Sequence, residues 1–196
     1  MIKRILIIIL CFISSPCFAA DNPVTADDMA SWLAFDKPVT FEMKEVKSRE
    51  LQEWGKLIWC YDYSSKTQTL SSYRIALYEG GSLFGDKRAE MEKRIEDGLK
   101  EMKSIDSNRK ESDVDILTRP DGRKAFFFLG GFGPGGASYL AFTTLPGKKY
   151  DLLVMRNVDY EDDMLPDQKL KNPAKPTKKL TDIFDKIEKM ICKRYY

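Results

Sequence analysis

The chain has 196 residues, 43% hydrophobic and 32% charged, with 12 Gly and 9 Pro. That composition excludes collagen-like, disordered and coiled-coil classes and leaves room for one core-forming domain or two small ones. There is no histidine, so Ser-His-Asp or Cys-His catalysis and histidine-ligated zinc or haem are excluded. A formal charge of +2 argues against a nucleic-acid binder.

Residues 1–19 read as a secretory signal peptide. Lys3 and Arg4 form the positive start, residues 5–13 an apolar run, and Ser14, Ser15 and Pro16 the break. Cys17-Phe18-Ala19 then places small residues where a signal peptidase reads, with cleavage before Ala20. The apolar run is too short to cross a bilayer core of about 30 Å. Pro16 stands where a lipoprotein signal needs Gly or Ala before the cysteine. Removing these 19 residues leaves 177, and the loss of Lys3 and Arg4 takes the net charge to zero. Cys11 and Cys17 leave as well. The remaining pair, Cys60 and Cys192, reads as one disulfide in an exported protein. On the chain-entropy model, closing so long a loop contributes about 5 kcal/mol.

The mature chain opens with a predicted helix over 24–35, capped by Thr25, with Asp27 and Asp28 in its first turn. Strands follow over 39–46, 54–63 and 67–78, where apolar and polar residues alternate or both faces are apolar. Gly80-Gly81 ends that pattern. A long helix over 83–105 carries Met91, Ile95, Leu99, Met102 and Ile105 on one stripe. Glu90 with Arg94 and Glu96 with Lys100 are expected ion pairs along it. Four strands come next, over 114–119, 124–129, 138–144 and 150–157. Pro120-Asp121-Gly122, a glycine-rich loop over 130–136 and Pro146-Gly147 supply the turns. An acidic, then basic, linker over 159–179 precedes a last helix over 176–195, with Leu180, Ile183, Phe184, Ile187 and Ile191 on its apolar face.

The expectation is therefore a single α+β domain over 20–196. Its mainly antiparallel sheet has about seven strands in the order βββ-α-ββββ-α, covered by two amphipathic helices. That element order, over 39–191, resembles the PsbP-like α+β fold of small periplasmic proteins. The resemblance implies an exported accessory protein and carries over no functional residue.

Several constellations were weighed for chemistry. Gly131-Phe132-Gly133-Pro134-Gly135-Gly136 matches G-x-G-x-x-G, with Asp151 twenty residues beyond the first glycine. A strand rather than a helix is expected after it, which speaks against dinucleotide binding. Gly131, Phe132 and Gly133 are instead candidates for a binding loop. Asp159, Glu161, Asp162, Asp163 and Asp167 lack the spacing of a calcium loop. Trp54, Trp59 and Tyr61 belong to an aromatic hairpin that is either core or a recognition face. Lys169, Lys171, Lys175, Lys178 and Lys179 offer peripheral contact with an anionic membrane surface. Glu45, Glu50, Glu53 and Asp62 are the carboxylates available for a histidine-independent hydrolase, with Ser138 an unsupported nucleophile.

No motif fixes a reaction. The balance favours an exported, non-enzymatic binding or accessory protein without metal or cofactor, such as an inhibitor or toxin-neutralising protein. Its partner would be another protein or an envelope component, not nucleic acid. A hydrolase and an envelope-surface structural component are the alternatives.

Overall fold

The computed structural model describes residues 21–33, 40–47, 49–65, 72–105, 115–133, 136–158 and 175–196. The elements run α1 (Ala26–Leu33), β1 (Phe41–Glu45), α2 (Arg49–Glu53), β2 (Leu57–Ser65), β3 (Ser72–Glu79) and α3 (Arg88–Ile105). They continue with β4 (Asp115–Thr118), β5 (Lys124–Gly133), β6 (Gly136–Thr144), β7 (Tyr150–Val158) and α4 (Lys175–Tyr195). One sheet of seven strands results, in the order β1-β2-β3-β7-β6-β5-β4. Every pairing in it is antiparallel. The α+β class and the strand count match the sequence expectation.

Short turns explain most of the order. One meander, β1-β2-β3, ends at Gly80, and α3 then carries the chain to the far edge. The second meander, β4 to β7, returns to the centre, where β7 pairs with β3 along its length, from Ser72↔Asn157 to Glu79↔Tyr150. Gly80 sits where the meanders meet: a Cβ there would lie 1.9 Å from the Lys148 carbonyl oxygen. Only glycine permits that approach, which the Gly80 N–H to Lys149 carbonyl bond (2.8 Å) holds.

The sheet has two apolar faces, as period-2 alternation demands once both are covered. On one, α4 lies across β6 and β7 and α1 beside β1. Leu180, Ile183, Phe184, Ile187 and Ile191 are all buried there, as their spacing predicts. Thr25 caps α1 as expected: its Oγ1 accepts the Asp28 N–H at 3.1 Å, while Asp28 Oδ2 accepts the Thr25 N–H at 2.9 Å. The other face carries Cys60, Ala76, Tyr78, Phe126, Phe142 and Leu153. Leu51 of α2, Leu83, and Ile95 of α3 bury these side chains.

The structure corrects several expectations. α2 was not foreseen, because five residues give too little periodicity to read. A register shift between Leu57 and Trp59 sends Leu57 to the α2–α3 face and leaves Ile58 and Trp59 both packed on the α1–α4 face, so strict alternation fails. Glu96 bonds Lys124 at 2.6 Å rather than Lys100, which lies 3.4 Å from Asp97. Glu90 does pair with Arg94, at 2.7 Å. The expected glycine-rich loop is mostly strand: β5 and β6 extend until Gly133 pairs with Gly136.

The expected disulfide is not formed. Cys60 and Cys192 are both free thiols. Cys60 lies in the core of the α2–α3 face, whereas Cys192 of α4 packs against the opposite core. The sheet itself separates them.

Candidate functional site

On the α2–α3 face the side chains form successive rows across the strands. At one end lie Tyr78, Asp151, Thr144 and Lys124, and above them Cys60, Ala76, Leu153, Phe142 and Phe126. The helices cover these two rows. The third row reads Asp62, Arg74, Met155, Leu140, Phe128, and the fourth Ser64, Ser72, Asn157, Ser138. Here cover fails. A half-open groove of about 760 Å³ lies over the third row, with Phe128, Leu140 and Met155 as its floor and Ser138 at its polar end.

Trp54 and Phe84 form the back wall, and Met91 of α3 the side. The wall is built by two connections zipped together. The Phe84 N–H donates to the Trp54 carbonyl, and the Lys56 N–H donates to Ser82 Oγ at 3.1 Å. A Cβ on Gly55 would sit 2.6 Å from the Ser82 carbonyl oxygen, so this contact also requires glycine. Phe84 adopts a left-handed backbone with φ 65°. For a residue with a bulky side chain such a conformation costs about 1–3 kcal/mol and persists only where the surroundings impose it. Its ring stands 5.8 Å from Trp54 and 5.2 Å from Phe142.

A buried ion pair anchors this wall. Asp151 is fully buried; its Oδ1 lies 2.9 Å from Arg88 Nη1 and accepts the Thr144 hydroxyl at 2.7 Å. Its Oδ2 accepts the Leu83 N–H at 3.3 Å, directly before Phe84. Arg88 also bonds Glu92 at 2.8 Å. The rim is acidic: Glu50 and Glu53 stand on α2 and Asp86 on the opposite bank, against the single ammonium of Lys87.

The sequence candidates scatter. Trp54 belongs to the groove, but Trp59 and Tyr61 pack on the α1–α4 side, where their rings stand 5.9 Å apart. Gly131, Phe132 and Gly133 are in β5, in an antiparallel hairpin; no helix follows to receive a pyrophosphate. Pro134 and Gly135 fall outside the described residues. Lys175, Lys178 and Lys179 belong to α4 rather than to a linker, whereas Lys169, Lys171 and the acids from Asp159 to Asp167 lie outside the described residues.

Of the carboxylates, Glu50 and Glu53 reach the groove rim. Both oxygens of Asp62 are held by Arg74, at 2.6 and 2.8 Å. Glu45 pairs in register with Tyr61, on the other face. The Ser138 hydroxyl donates to Asn157 Oδ1 at 2.8 Å, and among the described residues no base stands beside it to activate it. Burial pushes the Cys60 thiol up to about 12, so it stays protonated and a poor nucleophile.

Sequence reasoning missed Phe84, Met91, Phe128, Leu140 and Met155. The available signal was that β5 to β7 are apolar on both faces while only two long helices among the described residues cover them. Comparison of the chain with protein-family models, curated proteins and solved structures finds no match.

Proposed function

We propose that the protein is an exported, non-catalytic binding protein whose ligand surface is the groove between α2 and α3. The carrying observation is the groove itself. Its volume of about 760 Å³ lies within the roughly 300–1,000 Å³ of ligand sites. Its walls are apolar, and a strained aromatic residue is held in place at its back. Binding is favoured over catalysis because the Ser138 hydroxyl at the groove's polar end is already committed to Asn157 Oδ1. The leader-like residues 1–19 support export, with another protein of the same compartment as the partner.

Nile red, a neutral apolar dye, tests the groove. It is expected to bind saturably with a blue-shifted emission. Met91→Trp, which fills the groove from α3, is expected to abolish binding without lowering the unfolding midpoint. Unchanged dye binding in that variant would refute the site. Export is tested by N-terminal sequencing of the protein recovered from outside the cytoplasm, with Ala20 as the expected first residue.

A further inference from the structure

Among the described residues, the groove marks where the sheet lacks a long covering helix. On the α1–α4 face the central strands β6 and β7 lie under α4, 21 residues long. On the other face α3 lies over β4 and β5, and α2 is only five residues. Between them, Phe128, Leu140 and Met155 sit side by side on β5, β6 and β7. Two inter-strand spacings of about 4.8 Å make this floor about 10 Å wide. A helix with its side chains is about 10–12 Å across. The slot has the width of one helix, and its floor, with Leu140 buried and Phe128 and Met155 half-buried, leaves apolar surface that a helix would finish covering in a two-layer α/β packing.

The charge around the slot adds a second constraint. Glu50 and Glu53 line one bank and Asp86 the other, with Lys87 the only cation lining it among the described residues. Glu53 does pair with Arg49, but at 3.7 Å and largely exposed, so its field still reaches an incoming ligand. Met91 and Met155, one on the wall and one on the floor, are side chains that repack around differing apolar anchors.

Building on the groove as the binding surface, we infer that its occupant is an amphipathic helix of a partner protein. That helix lays an apolar stripe (positions i, i+3 or i+4, and i+7) on Phe128, Leu140 and Met155 and presents Lys or Arg to Glu50, Glu53 and Asp86. Helix-in-groove recognition of this kind reads apolar anchors for affinity and flanking charge for orientation and encounter rate.

The test uses the full chain carrying Nile red and four competitors. These are a Leu/Lys amphipathic peptide of about five turns, its Glu-for-Lys counterpart, the Leu/Lys peptide interrupted by a central proline, and dodecyltrimethylammonium below its micellar concentration. The Leu/Lys peptide is expected to displace the dye best and to weaken as salt rises. In Glu50→Gln/Glu53→Gln/Asp86→Asn its affinity is expected to fall by at least about threefold, since each exposed charge pair is worth about 1.5- to 5-fold. Peptide affinity in that variant should fall by more than Nile red affinity does, which separates the charge contacts from the apolar groove.

Equal displacement by the Glu peptide would overturn the charge argument. Equal displacement by the proline-interrupted peptide or by the alkylammonium would overturn the helix. Dye binding that no peptide disturbs would overturn this inference while leaving the groove as a site. Failure of Nile red itself to bind would overturn the groove reading beneath it.

Discussion

The Arg88–Asp151 pair joins the start of α3 to the centre of the sheet, and its removal is the most informative perturbation of the scaffold. In Asp151→Asn the shape is kept and the charge is lost. Asp151 is fully buried, lies in an ion pair with Arg88 and accepts hydrogen bonds from the Thr144 hydroxyl and the Leu83 N–H. Breaking a buried pair by removing one partner costs about 3–5 kcal/mol. Arg88 keeps Glu92 at 2.8 Å and retains 16% side-chain exposure, so the lower end, about 3 kcal/mol, is expected. With a urea m-value of about 2 kcal/mol/M, the midpoint should fall by about 1.5 M. Glu92→Gln removes only a half-exposed partner and should cost less than about 1 kcal/mol. Urea unfolding followed by far-UV circular dichroism measures both. Because the Leu83 N–H is held by Asp151, the same variant should also weaken Nile red binding under folding conditions. A change below about 0.5 kcal/mol in Asp151→Asn, within the range of ordinary surface substitutions, would refute the anchoring role.

Other predictions follow from the two cores. Peptide mapping after alkylation in denaturant, without reductant, should find Cys60 and Cys192 each alkylated; a linked peptide pair would contradict their placement on opposite faces. Stability should fall with alkaline pH. Burial raises Cys60 from 9.0 to about 12 and also raises Tyr63 and Tyr78 from 10.0. The folded chain therefore keeps protons that the unfolded chain releases. This contribution is complete below pH 9 and is lost between pH 9 and 12, by at most about 1.4 kcal/mol per pH unit per group. Cys60→Ala should flatten the part just above pH 9, and an unchanged slope would count against the buried thiol. Glu188 bridges Arg119 at 2.6 Å and Arg123 at 2.9 Å, tying α4 to the β4–β5 turn. Glu188→Gln should cost about 2 kcal/mol in urea unfolding, as hydrogen bonds to charged groups are worth about 1.5–3 kcal/mol. Asp185→Asn, at the half-exposed end of the same network, should cost less than about 1 kcal/mol. Equal losses would refute that ranking.

The fold was legible where one physical rule acts alone. Leu180, Ile183, Phe184, Ile187 and Ile191 recur at helical spacing and are buried together. Pro120-Asp121-Gly122 makes the turn it encodes, with Gly122 at φ 82°. Legibility failed where tertiary contacts decide. The register shift at Leu57–Trp59 inverts a face that alternation alone assigns wrongly. The disulfide inference counted cysteines, but which face each occupies depends on strand register and on which side α4 crosses. The groove was least legible: Phe84, Met91, Phe128, Leu140 and Met155 come from four segments of the chain, and each looks like ordinary core in its own segment. Among the recognition candidates, Trp54 lines the groove. What makes these residues a candidate site is the incomplete cover that the described elements leave above them, and no local pattern records that.

The most direct measurement is methyl NMR of methionines labelled at the ε-carbon, titrated with Nile red. Met91 and Met155 line the groove, whereas Met29 and Met190 pack on the opposite face. The account predicts saturable shifts at Met91 and Met155 with Met29 and Met190 unmoved. Shifts centred on Met29 or Met190, or none at Met91 and Met155, would contradict it.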